Sequence, residues 1–126
     1  MSWPDARGRP GRPSKPSAVP RRYRVDVTRA AERDIAAIHA HIARDNPPAA
    51  AAWLDPVERN IPSLERWPRR RPIIPEASEL DVEYRHLVNA PYRTIFRIVT
   101  RIVTSRVIIV RVVHGAQLLD LDILER

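Results

Sequence analysis

The stretch from Glu83 to Gln117 constrains the fold more than any other part of the chain. It reads EYRHLVNAPYRTIFRIVTRIVTSRVIIVRVVHGAQ, three runs rich in Val, Ile, Tyr and Phe that are separated by short polar breaks. Such short connections predict an antiparallel meander, because parallel neighbours in a sheet require a long crossover. The run from Val107 to Val113 is apolar at nearly every position, which predicts a strand buried on both faces.

The segment before this meander is predicted to form one short strand and two helices. Tyr23 to Val27 alternates apolar and charged residues, as a half-buried strand does. Thr28 is a suitable N-cap, and an apolar stripe at helical spacing follows it, made of Ala31, Ile35, Ile38 and Ile42. Asp45-Asn46-Pro47-Pro48 ends this helix, and a second helix begins near Pro48. The predicted fold is α+β, in the order β-α-α-β-β-β, with the helical hairpin packed on a mainly antiparallel sheet.

The second helix contains two prolines beyond its first turn, each of which costs about 3 kcal/mol in a regular helix interior. We therefore expect a kink near Pro56 and either a break or a new helix start near Pro62. Pro68 to Asp81, with its three arginines, is predicted to be an exposed connection, and Tyr84 and Tyr92 to be half-buried sheet residues. The buried face of the helix is predicted to comprise Ala52, Trp53, Val57, Ile61, Leu64 and Trp67.

Composition favours a cytoplasmic domain without a cofactor or a metal. The 126 residues include no cysteine, which excludes disulfides, thiol catalysis and cysteine-ligated metals. No apolar run approaches the roughly 20 residues of a membrane span, and residues 1–22 lack the apolar core of a signal peptide. His39 and His41 do not have the i, i+4 spacing of helical metal ligands. We expect one folded domain at residues 23–126.

The net charge of +7 is concentrated in the N-terminal tail. Residues 1–22 hold six basic residues against one acidic residue, whereas residues 23–126 hold 16 against 14. The tail is also rich in proline and poor in apolar residues, which predicts disorder. Weak affinity for nucleic acid is therefore expected through the tail alone. The tail is interpreted either as a nucleic-acid or partner-binding arm or as a dispensable leader.

The order and spacing of these segments resemble the RelE/ParE toxins of bacterial type II toxin–antitoxin modules, and within them the ParE branch. The matching pieces cover nearly everything from Tyr23 to Ala116: YRVDVTRAAERDIAAIHAHIARDNPPAAAAWL, LERWP, PE, EYRHLV, PYRTIFRIV and VIIVRVVHGA. The resemblance implies a toxin that pairs with a small acidic antitoxin, whose C-terminal segment wraps the toxin as an added helix or strand. It also implies that the chain oligomerises only together with that antitoxin.

Two departures from the family pattern bear on activity. Typical ParE-like chains close with HGAR and an acidic residue, whereas here Gln117 and Leu118 follow Ala116, which removes a charged, forked donor. The second helix of relatives is uninterrupted, whereas this one contains Pro56 and Pro62. An inactive relative, retained only to bind an antitoxin, is therefore one interpretation of the chain.

The resemblance implies either of two activities. ParE-like toxins inhibit DNA gyrase by protein binding, whereas RelE-like toxins cleave mRNA on the ribosome. RNA cleavage needs a base and cations, which RelE-like enzymes supply partly with lysines of the first meander strand. Here the only lysine is Lys15, and a guanidinium is not a neutral base near pH 7. We therefore expect gyrase inhibition without catalysis. The ribonuclease alternative would use Arg85, Arg93 and His114.

Arginines recur along the meander where aliphatic residues would suit a core. On regular strands Arg93 and Arg97 share a face, whereas Arg85 and His86 point to opposite faces. One interpretation is a set of rim arginines paired with Glu83 or Asp26. The other is a surface that binds carboxylates of an antitoxin or target. The predicted partner-binding residues are Arg85, Arg93, Arg97, Arg111, Tyr92, His114 and Gln117.

Overall fold

The computed structural model describes residues 22–76, 82–115 and 124. The predicted order of elements is confirmed, with one short 3-10 helix added before the meander. The tail up to residue 21 and Gln117 lie outside the described residues. In chain order the elements are β1 (Arg24–Val27), α1 (Arg29–Asp45), α2 (Pro47–Ser63), a 3-10 helix (Pro68–Arg70), β2 (Arg85–Asn89), β3 (Tyr92–Thr100) and β4 (Ser105–His114).

The four strands form one mixed sheet in the order β1-β4-β3-β2. The meander is confirmed, since β2 pairs with β3 and β3 with β4 in antiparallel register. β1 joins the other side of β4 in parallel, with Arg24 opposite Arg106. In the β3–β4 ladder, Ile95 faces Arg111 but Phe96 faces Ile109. Val110 is thus an extra residue in β4, which is the arrangement of a β-bulge.

Helix α1 begins at its predicted cap and is tied to this bulge. The Thr28 hydroxyl oxygen accepts a 3.1 Å hydrogen bond from the Ala31 N–H and lies 3.0 Å from the Val110 carbonyl, to which it donates. Ala31 is completely buried. At the other end Asn46 serves both helices: its N–H donates to the Ile42 carbonyl, and its side chain accepts from Ala49 of α2.

Helix α2 continues through Pro56, the first proline of its interior. It extends unbroken from Pro47 to Ser63. Of the two outcomes expected near Pro62, the new helix start is wrong, and the helix instead ends there. Pro62 stands one residue before the end of the helix, where little of the regular hydrogen-bond pattern remains to be disrupted. The interruption therefore coincides with the natural end of α2. The Ser63 hydroxyl donates to the Asn60 carbonyl in this last turn.

Two expected members of the α2 core lie outside it. Ala52 is exposed, and the buried alanine of this helix is Ala50, which falls in the helical row that leads to Val57. Trp67 is 48% exposed, because the helix has already ended and the residue adopts a left-handed backbone conformation with φ of 56°. Its ring is covered by the guanidinium of Arg70, 4.5 Å from the ring centroid.

The sheet is covered on both faces by separate hydrophobic clusters. The larger cluster, which we call the first cluster, joins the helices to the sheet and includes Val57, Leu64, Phe96 and Ile109. The smaller cluster, which we call the second cluster, occupies the opposite face and comprises Ile74, Tyr84, Ile95, Val110, Val113 and Leu124. The prediction that β4 is buried on both faces is therefore confirmed.

The second cluster corrects two expectations about the segment before β2. Tyr84 is 3% exposed rather than half-buried, and its hydroxyl lies 3.4 Å from the Leu124 carbonyl. The expected exposed connection contributes the buried residues Pro68 and Ile74. A main-chain bridge between Ile73 and Arg85 also holds this segment against β2. The connection therefore packs on the sheet because it carries apolar residues that the second face requires.

Candidate partner-binding site

Arg93 lies at the centre of a groove at one end of the sheet. Its residue exposure is 6%, and its two terminal nitrogens donate to the two carboxylate oxygens of Glu76 at 3.2 and 2.6 Å. The terminal nitrogen Nη1 also lies 3.4 Å from Nδ1 of His86. The groove has a volume of 490 Å³ and is lined by Pro75, Glu76, His86, Val88, Ala90, Pro91, Tyr92, Arg93, His114 and Gly115.

The charges in this groove shift the pKa of their neighbours in a consistent way. The hydrogen bonds from Arg93 lower the pKa of Glu76 below its ordinary value, so the carboxylate stays ionised. Burial, aided by the charge of Arg93, lowers the pKa of His86 and favours the neutral imidazole. The groove therefore holds a bidentate ion pair beside a neutral histidine near pH 7.

Aromatic rings connect this groove to the helices. Tyr92 lies between Trp53 of α2 and His114 of β4, with ring centroids 5.5 and 5.2 Å away and both contacts edge-on. Such edge contacts contribute about 0.5–1.5 kcal/mol beyond the burial of apolar area. Asn60 adds a second link between α2 and the sheet through a 2.9 Å hydrogen bond to the side chain of Asn89.

A second groove lies on the other side of Tyr92, where the two helices meet. Its volume is 550 Å³, and it shares the turn between β2 and β3 with the first groove. The Ala90–Pro91 peptide bond in this turn is cis. The lining is largely apolar but includes two ionisable side chains, His41 and Asp45. The other lining residues are Ile42, Asn46, Ala49, Ala52, Trp53, Ala90, Pro91 and Tyr92.

The end of β4 approaches this shared turn closely. The Gly115 N–H donates a 2.6 Å hydrogen bond to the Pro91 carbonyl, and a Cβ atom at Gly115 would lie 3.2 Å from the same oxygen. A side chain at this position would crowd the Pro91 carbonyl, so glycine suits the close approach of the two main-chain segments. This contact places His114 beside the groove, at the point where β4 ends.

Arg111 has an intramolecular partner away from both grooves. Its Nε and Nη2 atoms donate to the two carboxylate oxygens of Asp34 at 2.6 and 2.8 Å, and the Val112 N–H donates to the same carboxylate at 2.9 Å. These bonds raise the pKa of Arg111. Because β1 pairs with β4 only as far as Ile109, Asp34 occupies the position along β4 where a longer β1 would continue.

Arg85 is held by main-chain carbonyls on the opposite face of β2. Its Nη1 atom donates to the carbonyls of Arg69 and Arg71 at 3.2 and 2.7 Å, and its Nη2 atom pairs with Glu83 at 3.3 Å. In the β2–β3 ladder Arg85 stands opposite Phe96, whereas Arg93 stands opposite Val88, three positions further along β2. The side chains of Arg85 and Arg93 consequently emerge on opposite faces of the sheet.

The structure therefore divides the predicted site residues into separate groups. Tyr92, Arg93 and His114 line one groove, whereas Arg85 and Arg111 make internal contacts elsewhere. Arg97 is half-buried beside Thr28, Val82 and Tyr84, and no hydrogen bond or ion pair to its side chain is found within the described residues. Arg93 and Arg97 share a face of β3, as the alternation predicts, but Arg85 and Arg111 do not join them in one continuous surface. Gln117 falls outside the described residues.

Two residues that line the grooves, one in each, were not predicted as site residues from the sequence. Glu76 lies in a segment that was interpreted as an exposed connection. The signal for its importance was the Pro75-Glu76 dipeptide, which is one of the pieces that resemble the family. Trp53 was predicted as core, and it is indeed partly buried against the first cluster, yet it also lines the second groove. Its indole Nε1 is buried and lacks a hydrogen-bond partner within the described part of the chain.

Two further findings concern other classes of site. Within residues 22–76, 82–115 and 124, no three His, Cys, Asp or Glu side chains are grouped in a way that could hold a metal ion. None of the helices in these ranges is long and apolar enough to cross a membrane.

Comparison with known proteins gives this fold a family. Residues 25–119 match the family model described as the ParE toxin of the type II toxin–antitoxin system parDE. No curated protein matches the chain significantly. Among solved structures, one from the chromosomal ParDE TA system of P. aeruginosa is similar with a TM-score of 0.60 and 20% sequence identity, over 75% of this chain and 97% of that chain. This likeness concerns the fold, whereas the family match spans most of the sequence, so the chain belongs to the ParE toxin family of type II toxin–antitoxin systems.

Proposed function

We propose that this protein is neutralised by a cognate antitoxin and inhibits DNA gyrase by binding to it, without cleaving RNA. The carrying observation is the separation of Arg85 from Arg93, the two cations that a RelE-like ribonuclease would need together. They lie on opposite faces of the sheet, and the donors of Arg85 are engaged by main-chain carbonyls. To stabilise the negative charge that develops in the transition state, the hydrogen-bond donors must be preorganised around the same atoms, and therefore on the same face of the sheet.

The state of Arg93 supports the same proposal. Its terminal nitrogens are both engaged by Glu76, so the positive charge is already balanced inside the protein. A phosphate that approached Arg93 would have to compete with this carboxylate. The ionised Glu76 is also a poor base, since its pKa is lowered. Although the groove contains an arginine and two histidines, it therefore has neither an unpaired guanidinium at Arg93 nor a basic carboxylate at Glu76 for the cleavage of a phosphodiester.

One observation favours the ribonuclease as a second candidate. His86 lies 3.4 Å from Arg93, its imidazole is neutral near pH 7, and His114 lines the same groove. A neutral imidazole beside a cation has the composition of a general base with a charge stabiliser. Loss of transcript cleavage in His86→Gln, with growth inhibition also lost, would favour this candidate over gyrase binding.

The antitoxin is proposed to occupy the groove between the helices and the β2–β3 turn. This groove exposes Ala52 and presents the apolar surfaces of Ile42, Trp53 and Tyr92 on elements fixed by the core. A helix inserts apolar residues into a groove of this kind at intervals of three and four positions. The similar P. aeruginosa structure belongs to a ParDE system, which is consistent with such a partner.

Growth and enzyme assays test the proposed activity. The full chain is expressed from an inducible promoter, with and without the neighbouring reading frame, and a DNA-damage reporter and ribosome-associated transcript cleavage are measured together. Purified protein is then added to a gyrase supercoiling reaction. We expect growth arrest with DNA damage, rescue by the neighbouring product, and loss of supercoiling. Transcript cleavage with unaffected supercoiling would refute gyrase inhibition, and unimpaired growth would indicate an inactive relative.

A matched pair of variants tests the antitoxin groove. Ala51 and Ala52 are both exposed on α2, but only Ala52 lines the groove. Ala52→Glu places a charged side chain where the antitoxin is proposed to pack, whereas Ala51→Glu makes the same chemical change outside the groove. We expect Ala52→Glu to weaken antitoxin binding by about 10-fold or more, equivalent to about 1.4 kcal/mol. Equal binding by both variants would place the antitoxin elsewhere.

A further inference from the structure

Positive charge in the folded domain is concentrated at one end of the sheet. Eight exposed arginines lie there, and we refer to them together as the basic end. They come from the start of β1, the segment after α2, the β3–β4 turn and the start of β4: Arg22, Arg24, Arg66, Arg69, Arg70, Arg71, Arg101 and Arg106. Division of the sequence into tail and domain did not reveal this concentration.

The strand topology explains why distant parts of the chain meet at the basic end. β1 and β4 are parallel, and β4, β3 and β2 alternate in direction, so the starts of β1, β4 and β2 and the end of β3 share one end of the sheet. Direct contacts join the remaining segment: the Tyr23 N–H donates to the Glu65 carbonyl at 2.8 Å, and Arg69 donates to the Thr100 hydroxyl at 3.1 Å.

Few carboxylates neutralise this end. Asp26 pairs with Arg24 at 3.2 Å and with Arg106 at 2.6 Å, and Glu65 pairs with Arg22 at 3.6 Å. At the start of β2, Glu83 pairs with Arg85 at 3.3 Å. Within the described ranges, no carboxylate pairs with the other five arginines, which are Arg66, Arg69, Arg70, Arg71 and Arg101. These guanidinium groups carry full charge into solvent, where they attract anions over roughly 10 Å at 0.1 M salt.

We propose that the basic end binds the phosphate backbone of duplex DNA. Adjacent strands lie about 4.8 Å apart, so four strands present an edge roughly 14 Å wide. Duplex DNA carries one charge per about 1.7 Å of its axis, which places roughly eight phosphate charges along such an edge. Several arginines from separate segments can therefore contact successive phosphates at once. Because backbone contacts position a protein without reading bases, the binding is not sequence-specific.

The composition of the basic end favours a duplex over a single strand. Proteins that bind single strands stack successive bases on several exposed aromatic rings. The described part of this end offers one such ring, Trp67, and the Arg70 guanidinium already covers it at 4.5 Å. Exposed Ile102 and Val103 in the β3–β4 turn give apolar contact without a stacking surface.

The connection to the N-terminal tail supports a polyanion as the occupant. The tail joins the described chain at Arg22, within the basic end, and the sequence before it holds five further basic residues: Arg7, Arg9, Arg12, Lys15 and Arg21. The tail and the basic end are thus covalently adjacent, and both carry the same charge. A polyanion such as DNA is the class of partner that matches this sign of charge over the whole basic end.

A matched pair of triple variants of the full chain tests the proposal. Arg66→Gln/Arg71→Gln/Arg101→Gln removes three charges of the basic end whose side chains make no described hydrogen bond or ion pair. Arg29→Gln/Arg33→Gln/Arg44→Gln removes the same charge from exposed positions of α1. Affinity for a labelled 30-base-pair duplex is measured by fluorescence anisotropy at several salt concentrations. The tail is present in both proteins, so its contribution cancels.

We expect the basic-end variant to bind the duplex at least about 10-fold more weakly at 0.1 M salt and to lose about three from the slope of log affinity against log salt. The α1 variant is expected to bind within about two-fold of the parent. Equal weakening of both variants would overturn the proposal, as would tighter binding of single-stranded RNA or of polyglutamate than of the duplex. The assay contains no gyrase and no antitoxin, so its outcome is independent of the proposed toxin activity.

Discussion

The ion pair between Arg93 and Glu76 makes a prediction whose size follows from burial. Arg93 is 6% exposed and its Nε atom is buried without a hydrogen-bond partner in the described chain, so its charge depends on the bidentate contact with Glu76. Removal of one member of a fully buried pair costs about 3–5 kcal/mol. The Glu76 side chain is 26% exposed, which admits water to the site. We therefore expect Glu76→Ala to cost about 2–3 kcal/mol.

Replacement of both partners distinguishes the pair from its parts. In Arg93→Met/Glu76→Ala no charge is left unpaired, so the double variant is expected to be more stable than Glu76→Ala alone. Glu83→Ala is the matched control, because the Glu83 side chain is 64% exposed and its carboxylate pairs with Arg85 at 3.3 Å. That loss is expected to be below about 1 kcal/mol. Urea unfolding followed by circular dichroism gives all three free energies.

The same pair predicts a specific dependence of stability on pH. The pKa of Glu76 in the folded protein lies below the ordinary value of 4.5. As the pH falls below about 4.5, the unfolded chain takes up the proton first, so the free energy of unfolding decreases until the pH passes the folded pKa. Above this range the contribution is complete. Glu76→Gln is expected to lose this part of the dependence.

His86 contributes a separate step at higher pH and provides an internal reference. Burial lowers its pKa from 6.5, so stability also decreases as the pH falls below about 6.5. This step is expected to persist in Glu76→Gln. If Glu76→Ala costs no more than Glu83→Ala, and the acid limb of the stability curve is the same in Glu76→Gln and the parent, the ion pair does not stabilise the fold and the reasoning is refuted.

Two further predictions concern the sheet. Arg111→Gln is expected to cost about 2–3 kcal/mol in urea unfolding, since it leaves the half-buried Asp34 carboxylate without its bidentate partner. The control Arg97→Gln loses no described partner and is expected to change stability by less than about 0.5 kcal/mol. Equal costs would show that the Asp34 contact adds nothing. Phe96→Ala is expected to cost about 3–5 kcal/mol and to lower the thermal midpoint strongly, because Phe96 is completely buried in the first cluster. A loss of stability below about 1 kcal/mol would contradict that packing.

Local patterns in the sequence determined the elements and their order. Thr28 as a cap, the apolar stripe that begins at Ala31, and the Asn46-Pro47 boundary each act within one or two turns of the chain, so they can be interpreted without knowledge of distant residues. The short breaks of the meander fixed antiparallel pairing for the same reason. The order and spacing of these pieces sufficed to indicate the family.

The limits of local inference appear at Trp67 and Pro62. The apolar pattern of the predicted buried face continues past Pro62 to Trp67, yet the helix ends at Ser63 and Trp67 faces solvent. Apolar spacing does not record where a helix ends when no glycine marks its C-terminus. The parallel addition of β1 beside β4 was likewise not specified by any local signal, because it joins segments more than 70 residues apart.

Only the tertiary structure decided which charges meet. Arg93 finds Glu76, Arg111 finds Asp34, and the eight arginines of the basic end gather from four segments, none of which is recognisable as a partner of another in the sequence. The physical reason is the range of the forces. Helix and strand preferences depend on neighbours within a few positions, whereas an ion pair depends on distances in space that the strand order fixes only once the core has formed.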